Sequence, residues 1–195
     1  MKRLFVAATT LVVLGLLLTN AAEAAQESWY VYFGFGGAHN SYPTEVEKTL
    51  DLVGDANSED VQLCLDMFGF YWPIPERPRS LLGFVINGAA DSRENDGKSA
   101  RVDSYLMGFS TMHFFGAEAG AGFFIRADLG TAWFDVSSSE APSYESGKGY
   151  GGLVGGGYGL RVGEGARILF NVNYALRHAG GDNLGTLGMS VGCLL

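Results

Sequence analysis

The stretch ARILFNVNYALR, residues 166–177, separates into two faces when read at alternate positions. Ile168, Phe170, Val172, Tyr174 and Leu176 fall on one face. Arg167, Leu169, Asn171, Asn173, Ala175 and Arg177 fall on the other. A helix would scatter both sets around its circumference, whereas a strand, with side chains alternating in direction, keeps them apart. The period of two is sustained for the length of a tilted bilayer-crossing strand, about 9–11 residues. A strand of an ordinary sandwich could carry the same alternation with the apolar face inward, so the surrounding chain has to decide which way the faces point.

The chain has 195 residues, enough for one domain. It begins with Lys2 and Arg3, an apolar run from Phe5 to Leu18, and Ala22-Glu23-Ala24, a small-residue pattern that a signal peptidase reads. Residues 1–24 are expected to be a cleaved secretory signal, leaving 25–195 as the folded domain. Beyond it no apolar run reaches the roughly 20 residues of a membrane helix. Hydrophobic residues make up 47% and aromatics 13%, with 29 Gly and 5 Pro; together with short alternating segments this is a β composition. Removing Lys2, Arg3 and Glu23 takes the formal charge from −8 to −9, which argues against a nucleic-acid surface. The two cysteines, Cys64 and Cys193, are too few for a disulfide framework, and the topology below sets them at opposite ends of a barrel.

Eight alternating segments follow the signal: residues 29–37, 61–72, 81–90, 104–115, 122–134, 150–162, 166–177 and a last one ending at Leu195. The apolar sets include Trp29, Val31, Phe33 and Phe35 in the first, Leu63, Leu65, Met67 and Tyr71 in the second, and Leu82, Phe84 and Ile86 in the third. In the fourth both faces hold apolar residues; Tyr105, Met107, Phe109 and Phe115 are assigned to the lipid side, which also puts His113 there. Asp66, Arg126, Asp128, Arg161 and Arg167, the charges well inside the segments, all lie opposite the apolar sets. Connections 38–60, 91–103 and 135–149 read as long and polar and 177–183 as intermediate, while 73–79, 116–120 and 163–165 read as tight. That alternation of long and short fits short periplasmic turns and long external loops.

With these features the chain resembles the small eight-stranded outer-membrane β-barrel proteins. The final strand, LGMSVGCLL, has apolar residues at alternate positions counted back from Leu195 and looks like the terminal signal read by the barrel-assembly machinery of that class. It ends in Leu rather than Phe and has Cys193 where an aromatic is usual. The resemblance implies an eight-stranded antiparallel transmembrane β-barrel in the bacterial outer membrane. It also implies contact with outer-membrane lipid and lipopolysaccharide, a structural or surface-interaction role, no enzymatic activity, and no cofactor or metal.

On that fold Asp66, Arg126, Asp128, Arg161 and Arg167 are expected to form a charge network in a filled lumen, because eight strands leave an interior just wide enough for side chains. A porin-like pore is the alternative reading. Residues 44–53 in the first long connection carry a helical stripe, Val46, Leu50 and Val53. Thr44 and Glu47 are spaced as a capping box, which predicts an acidic helix over the barrel mouth. Loop 38–60 is the expected site of any extracellular partner; a cation site at Asp55, Asn57 and Glu59 lacks the spacing of a calcium loop. His39 and Ser41, with Glu45 as the orienting acid, are the catalytic candidates, since His can deprotonate Ser for acyl-ester hydrolysis. Lipid A deacylase-type barrels use a similar pair, but on a late strand. His39 and His178 would share one rim.

Overall fold

The computed structural model describes residues 29–53, 59–163 and 165–195; the expected signal, 1–24, lies outside them. The elements in chain order are β1 (Tyr30–Ser41), α1 (Thr44–Asp51), β2 (Glu59–Ile74), β3 (Arg77–Asn95), β4 (Lys98–Phe114), β5 (Gly122–Ser138), β6 (Tyr144–Glu145), β7 (Gly149–Val162), β8 (Ala166–Ala179) and β9 (Asp182–Leu194). All strand pairings are antiparallel, and β1 pairs with both β2 and β9. β4 pairs with β5, which closes eight strands into a barrel. The short β6 is an addition to the rim, pairing with Asp135 and Val136 of β5. Closure leaves no sheet edge in the wall, the condition for placing strands in hydrocarbon.

Side chains alternate in and out along each strand. Outside stand Phe109 at 72% exposure, Phe123 and Leu129 at 70% and Met189 at 65%. Rows of large apolar side chains this exposed form a continuous surface far beyond what water-facing proteins carry, and the apolar faces therefore point outward, to lipid. Inside, three layers are stacked. Tyr30, Tyr32, Tyr71, Met112, Phe114 and Phe124 pack at the rim where β1 starts and β9 ends, hereafter the terminal rim. The middle holds polar groups beside an apolar cluster of Leu106, Ala132, Leu153 and Ala175. At the loop rim, α1 seats Val46, Leu50 and Val53 on Val102, Phe134, Val136 and Leu184, so the acidic helix does lie over the mouth.

Four details depart from the sequence reading. Tyr71, assigned to the lipid side, is wholly buried in the lumen. A β-bulge between Asp66 and Phe68 shifts the register, so Met67 and Phe68 are both exposed and every later residue of β2 changes face. The polar segment 91–103 is not a loop: β3 and β4 continue through it to a turn at 96–97, where Asp96 and Gly97 have φ of 47° and 80°. Two left-handed residues are what a type I′ hairpin requires. Segment 177–183 likewise folds into β8 and β9 around Gly180 and Gly181, at φ 62° and 92°. Finally, the capping box does not form. Pro43 is the N-cap, with no side-chain cap bond, because the helix starts one residue early with Glu47 N–H donating to the Pro43 carbonyl at 3.0 Å.

Candidate functional site

The middle layer of the lumen is built around Arg126, on the inward face of β5, with its side chain 2% exposed. Nη2 donates to Asp66 Oδ1 at 2.8 Å and to Asp128 Oδ2 at 2.7 Å, and Nε to Asp128 Oδ1 at 3.0 Å. Asp128, two positions on along β5, sits on the same face and meets the guanidinium fork side-on, while Asp66 comes from β2 across the lumen. Neutral donors complete both carboxylates. Tyr32 O–H donates to Asp66 at 3.0 Å, Asn87 Nδ2 donates to Asp128 at 3.1 Å, and Ser110 donates to Asp128. Tyr71 O–H donates to Ser110 Oγ at 2.8 Å. The Tyr32 ring lies beneath the guanidinium, with Arg126 Cζ 5.4 Å from its centroid. A buried charge is tolerable only when paired and hydrogen-bonded in this way.

The network continues toward the loops. Arg177 donates to Asn87 Oδ1 and to Thr186 Oγ1, both at 3.1 Å, and Thr186 donates to Asn40 Oδ1 at 2.9 Å. With Arg126 and Arg177 against Asp66 and Asp128, the formal charges of this column balance. The space left beside it, lined among others by Cys64, Asn87, Asn173 and Arg177, is about 10 Å³, the size of a single water position.

Of the five charges expected in the lumen, Asp66, Arg126 and Asp128 come together. Arg167 is buried nearer the terminal rim, its guanidinium 5.5 Å from the Tyr30 ring centroid and 4.0 Å from Glu118. Arg161 is not in the lumen. Its position on β7 has the inward parity but lies at the strand's end, where the side chain clears the rim; it is 49% exposed and bonds Glu118 at 3.1 Å. The sequence reading placed Arg177 on the inward face of β8 without joining it to the network, and it did not single out Asn40, Ser110 or Thr186. Inward parity marks them; nothing local marks Tyr71, whose face is set by the bulge.

At the loop rim a wholly buried Asp91 lies 3.9 Å from Arg93 Nε, and Arg93 Nη1 reaches Asp51 of α1 at 3.1 Å, tying helix to wall. Burial under the helix, with the charge of Asp91 beside it, pushes the Tyr42 phenol well above its ordinary range. His39 and Ser41 are exposed on the outward side of β1, with the buried Asn40 between them, and Glu45 is bonded to Lys48 at 2.7 Å. His178 bonds Asn183 at 2.9 Å and packs on Tyr150, and Leu187 of β9 separates β8 from His39. His113 is on the outward face near the terminal rim, 2.8 Å from Ser80 Oγ and edge-on to Phe115. Cys64 faces inward, donating to the Gly37 carbonyl at 3.3 Å, and is unlinked to Cys193. Among the described residues no cluster of His, Cys, Asp and Glu could hold a metal; Asp55 and Asn57 lie outside them.

A closed eight-stranded antiparallel barrel with an apolar outer wall and a packed polar lumen is the fold of the outer-membrane β-barrels, and the chain has that fold. Solved structures agree. Neisserial surface protein A superposes over 87% of this chain and 97% of its own, at 14% identity and a TM-score of 0.56. Ail, the attachment invasion locus protein of Yersinia pestis, in complex with the heparin analogue sucrose octasulfate, covers 86% and 97% at 10% identity with a TM-score of 0.52. These likenesses establish the fold, one shared with bacterial outer-membrane barrels. No family model and no curated relative matches the sequence.

Proposed function

We propose that this protein is a closed, non-enzymatic barrel that serves the envelope as a structural and surface-presenting element rather than as a pore. The observation that carries the reading is the filled lumen: a bonded polar column between an aromatic layer and a helix-sealed mouth. Opening a path would break buried ion pairs whose separation is costly.

The surface available to a partner is α1 and the tips of the neighbouring hairpins. Exposed Glu45, Glu47, Asp51, Glu94, Asp96 and Glu140 outweigh Lys48, Lys98 and Lys148 there, so a basic protein or peptide surface suits it and a polysulfated sugar of the kind bound to Ail does not. Glu45, the acid expected to orient the outward His39 and Ser41, is engaged by Lys48 instead, which favours the non-enzymatic reading. Osmotic swelling of proteoliposomes in small sugars tests the closed lumen: wild type should swell no faster than empty vesicles, and porin-like rates would replace this reading with transport. Lipid A acyl composition unchanged by the protein is the corresponding expectation for enzymatic activity; an acyl loss abolished by His39→Ala would reverse it.

A further inference from the structure

The outer wall carries a groove of about 920 Å³, and the strand register explains it. Phe35, Val191, Phe170, Tyr158 and Phe123 are cross-strand neighbours in one outward row from β1 to β5. The next outward row toward the loops is Gly37, Met189, Val172, Gly156 and Ile125. Between them runs the inward row from Gly36 to Phe124, which shows only backbone to the outside. Every row pair on a barrel has such a valley, but this one is widened because Gly37 and Gly156 leave two gaps in its upper ridge.

The valley also has a direction. Phe123 is the second residue of β5, at the terminal rim, whereas Phe35 lies well inside β1. The groove thus rises from the terminal-side interface toward the bilayer interior, over four inter-strand steps of about 4.8 Å, roughly 19 Å in all. Its lower end is at Phe115, on the turn between β4 and β5. Two cationic side chains flank that turn: Arg79 donates to the Gly116 carbonyl at 3.4 Å, and Arg161 pairs with Glu118 at 3.1 Å. Both are exposed; Arg79 uses Nη1 alone, while Arg161 uses Nη1 and also Nε, which donates to the Gly163 carbonyl at 3.0 Å, so Nη2 of each remains to donate to an anion.

The geometry points to a site for one glycerophospholipid of the terminal-side leaflet, with an acyl chain laid along the valley and its phosphate at Arg79 and Arg161. An aromatic-walled apolar trough leading into hydrocarbon from a rim that carries two exposed guanidinium groups matches the amphipathic shape of such a lipid. It fits neither a soluble ligand nor a protein helix, which is too broad for the gap between adjacent side-chain rows.

Gly37 supplies a clean probe, because a Cβ there meets nothing within 4 Å. Native mass spectrometry of the detergent-released protein with added palmitoyl-oleoyl phosphatidylglycerol should show a one-to-one adduct. Gly37→Phe should lose it, while Leu82→Phe, outward on β3 and away from the valley, should keep it. Heat-modifiability gels establish that each variant is folded. The double variant Arg79→Gln, Arg161→Gln should also lose the adduct. Absence of an adduct in wild type, or equal retention by Gly37→Phe, would overturn the site; retention by the arginine variant alone would overturn the phosphate assignment.

Discussion

Arg126→Met is the most informative single substitution in the lumen. The guanidinium is 2% exposed and makes its bonds to two carboxylates, Asp66 and Asp128, that are themselves 5% exposed. Replacing it by a side chain of similar length leaves space filled and two buried anions facing each other without their cation. Removal of one partner from a buried pair costs about 3–5 kcal/mol, mostly as desolvated, unpaired charge. The remaining donors, Tyr32 to Asp66 and Asn87 and Ser110 to Asp128, blunt the penalty without cancelling it. The triple variant Arg126→Met, Asp66→Asn, Asp128→Asn removes all three charges, and a fully neutral replacement of a buried ionic cluster is often neutral or stabilising. It should recover most of the loss. Reversible urea unfolding in phospholipid vesicles, followed by tryptophan fluorescence, measures both. A loss below about 1 kcal/mol for Arg126→Met, in the range of an exposed pair, would refute the buried network.

Val172→Arg, outward near the middle of β8, should cost about 2–4 kcal/mol in vesicles because the guanidinium meets hydrocarbon, whereas Asn171→Ala, losing its bond to Tyr32, should cost about 1 kcal/mol; equal costs would mean that the faces are misassigned. Leu50→Asp should lift α1 from the apolar seat it fills, seen as fast amide exchange across 44–51 with the barrel still heat-modifiable. Cys64, inward and bonded to backbone carbonyls, should resist maleimides in the folded protein, and Cys193, facing out near the terminal rim, should react only with a membrane-soluble one.

How much of this was legible in the chain depends on whether a local pattern or a distant contact sets each feature. Alternation gave the eight strands, since a period of two survives wherever one face meets lipid. It failed after Met67 because a bulge inserts a residue without altering composition, and Tyr71 changed face with it. Segments 91–103 and 177–183 depart from the sequence reading for a different reason. Polarity in 91–103 was read as irregular backbone, but strands that continue above the bilayer are polar on both faces, and the Asp96-Gly97 pair was the local sign of a hairpin. Asp66, Arg126 and Asp128 could be assigned to one lumen by parity alone; that Arg126 takes both carboxylates while Arg177 is held by Asn87 and Thr186 depends on shear between strands far apart in sequence. Arg161 shows the limit of parity, which gives a side chain's face and not its height.

The central claim, a lumen sealed by its own side chains, is tested most directly by reconstituting the pure protein in planar bilayers and recording current under a steady applied voltage. The structure predicts a baseline with no sustained conductance, since the bonded column lies between two buried layers and the pocket beside it, lined by Cys64, Asn87 and Arg177, is about 10 Å³. A stable, ohmic channel of nanosiemens scale in the wild-type protein would contradict it.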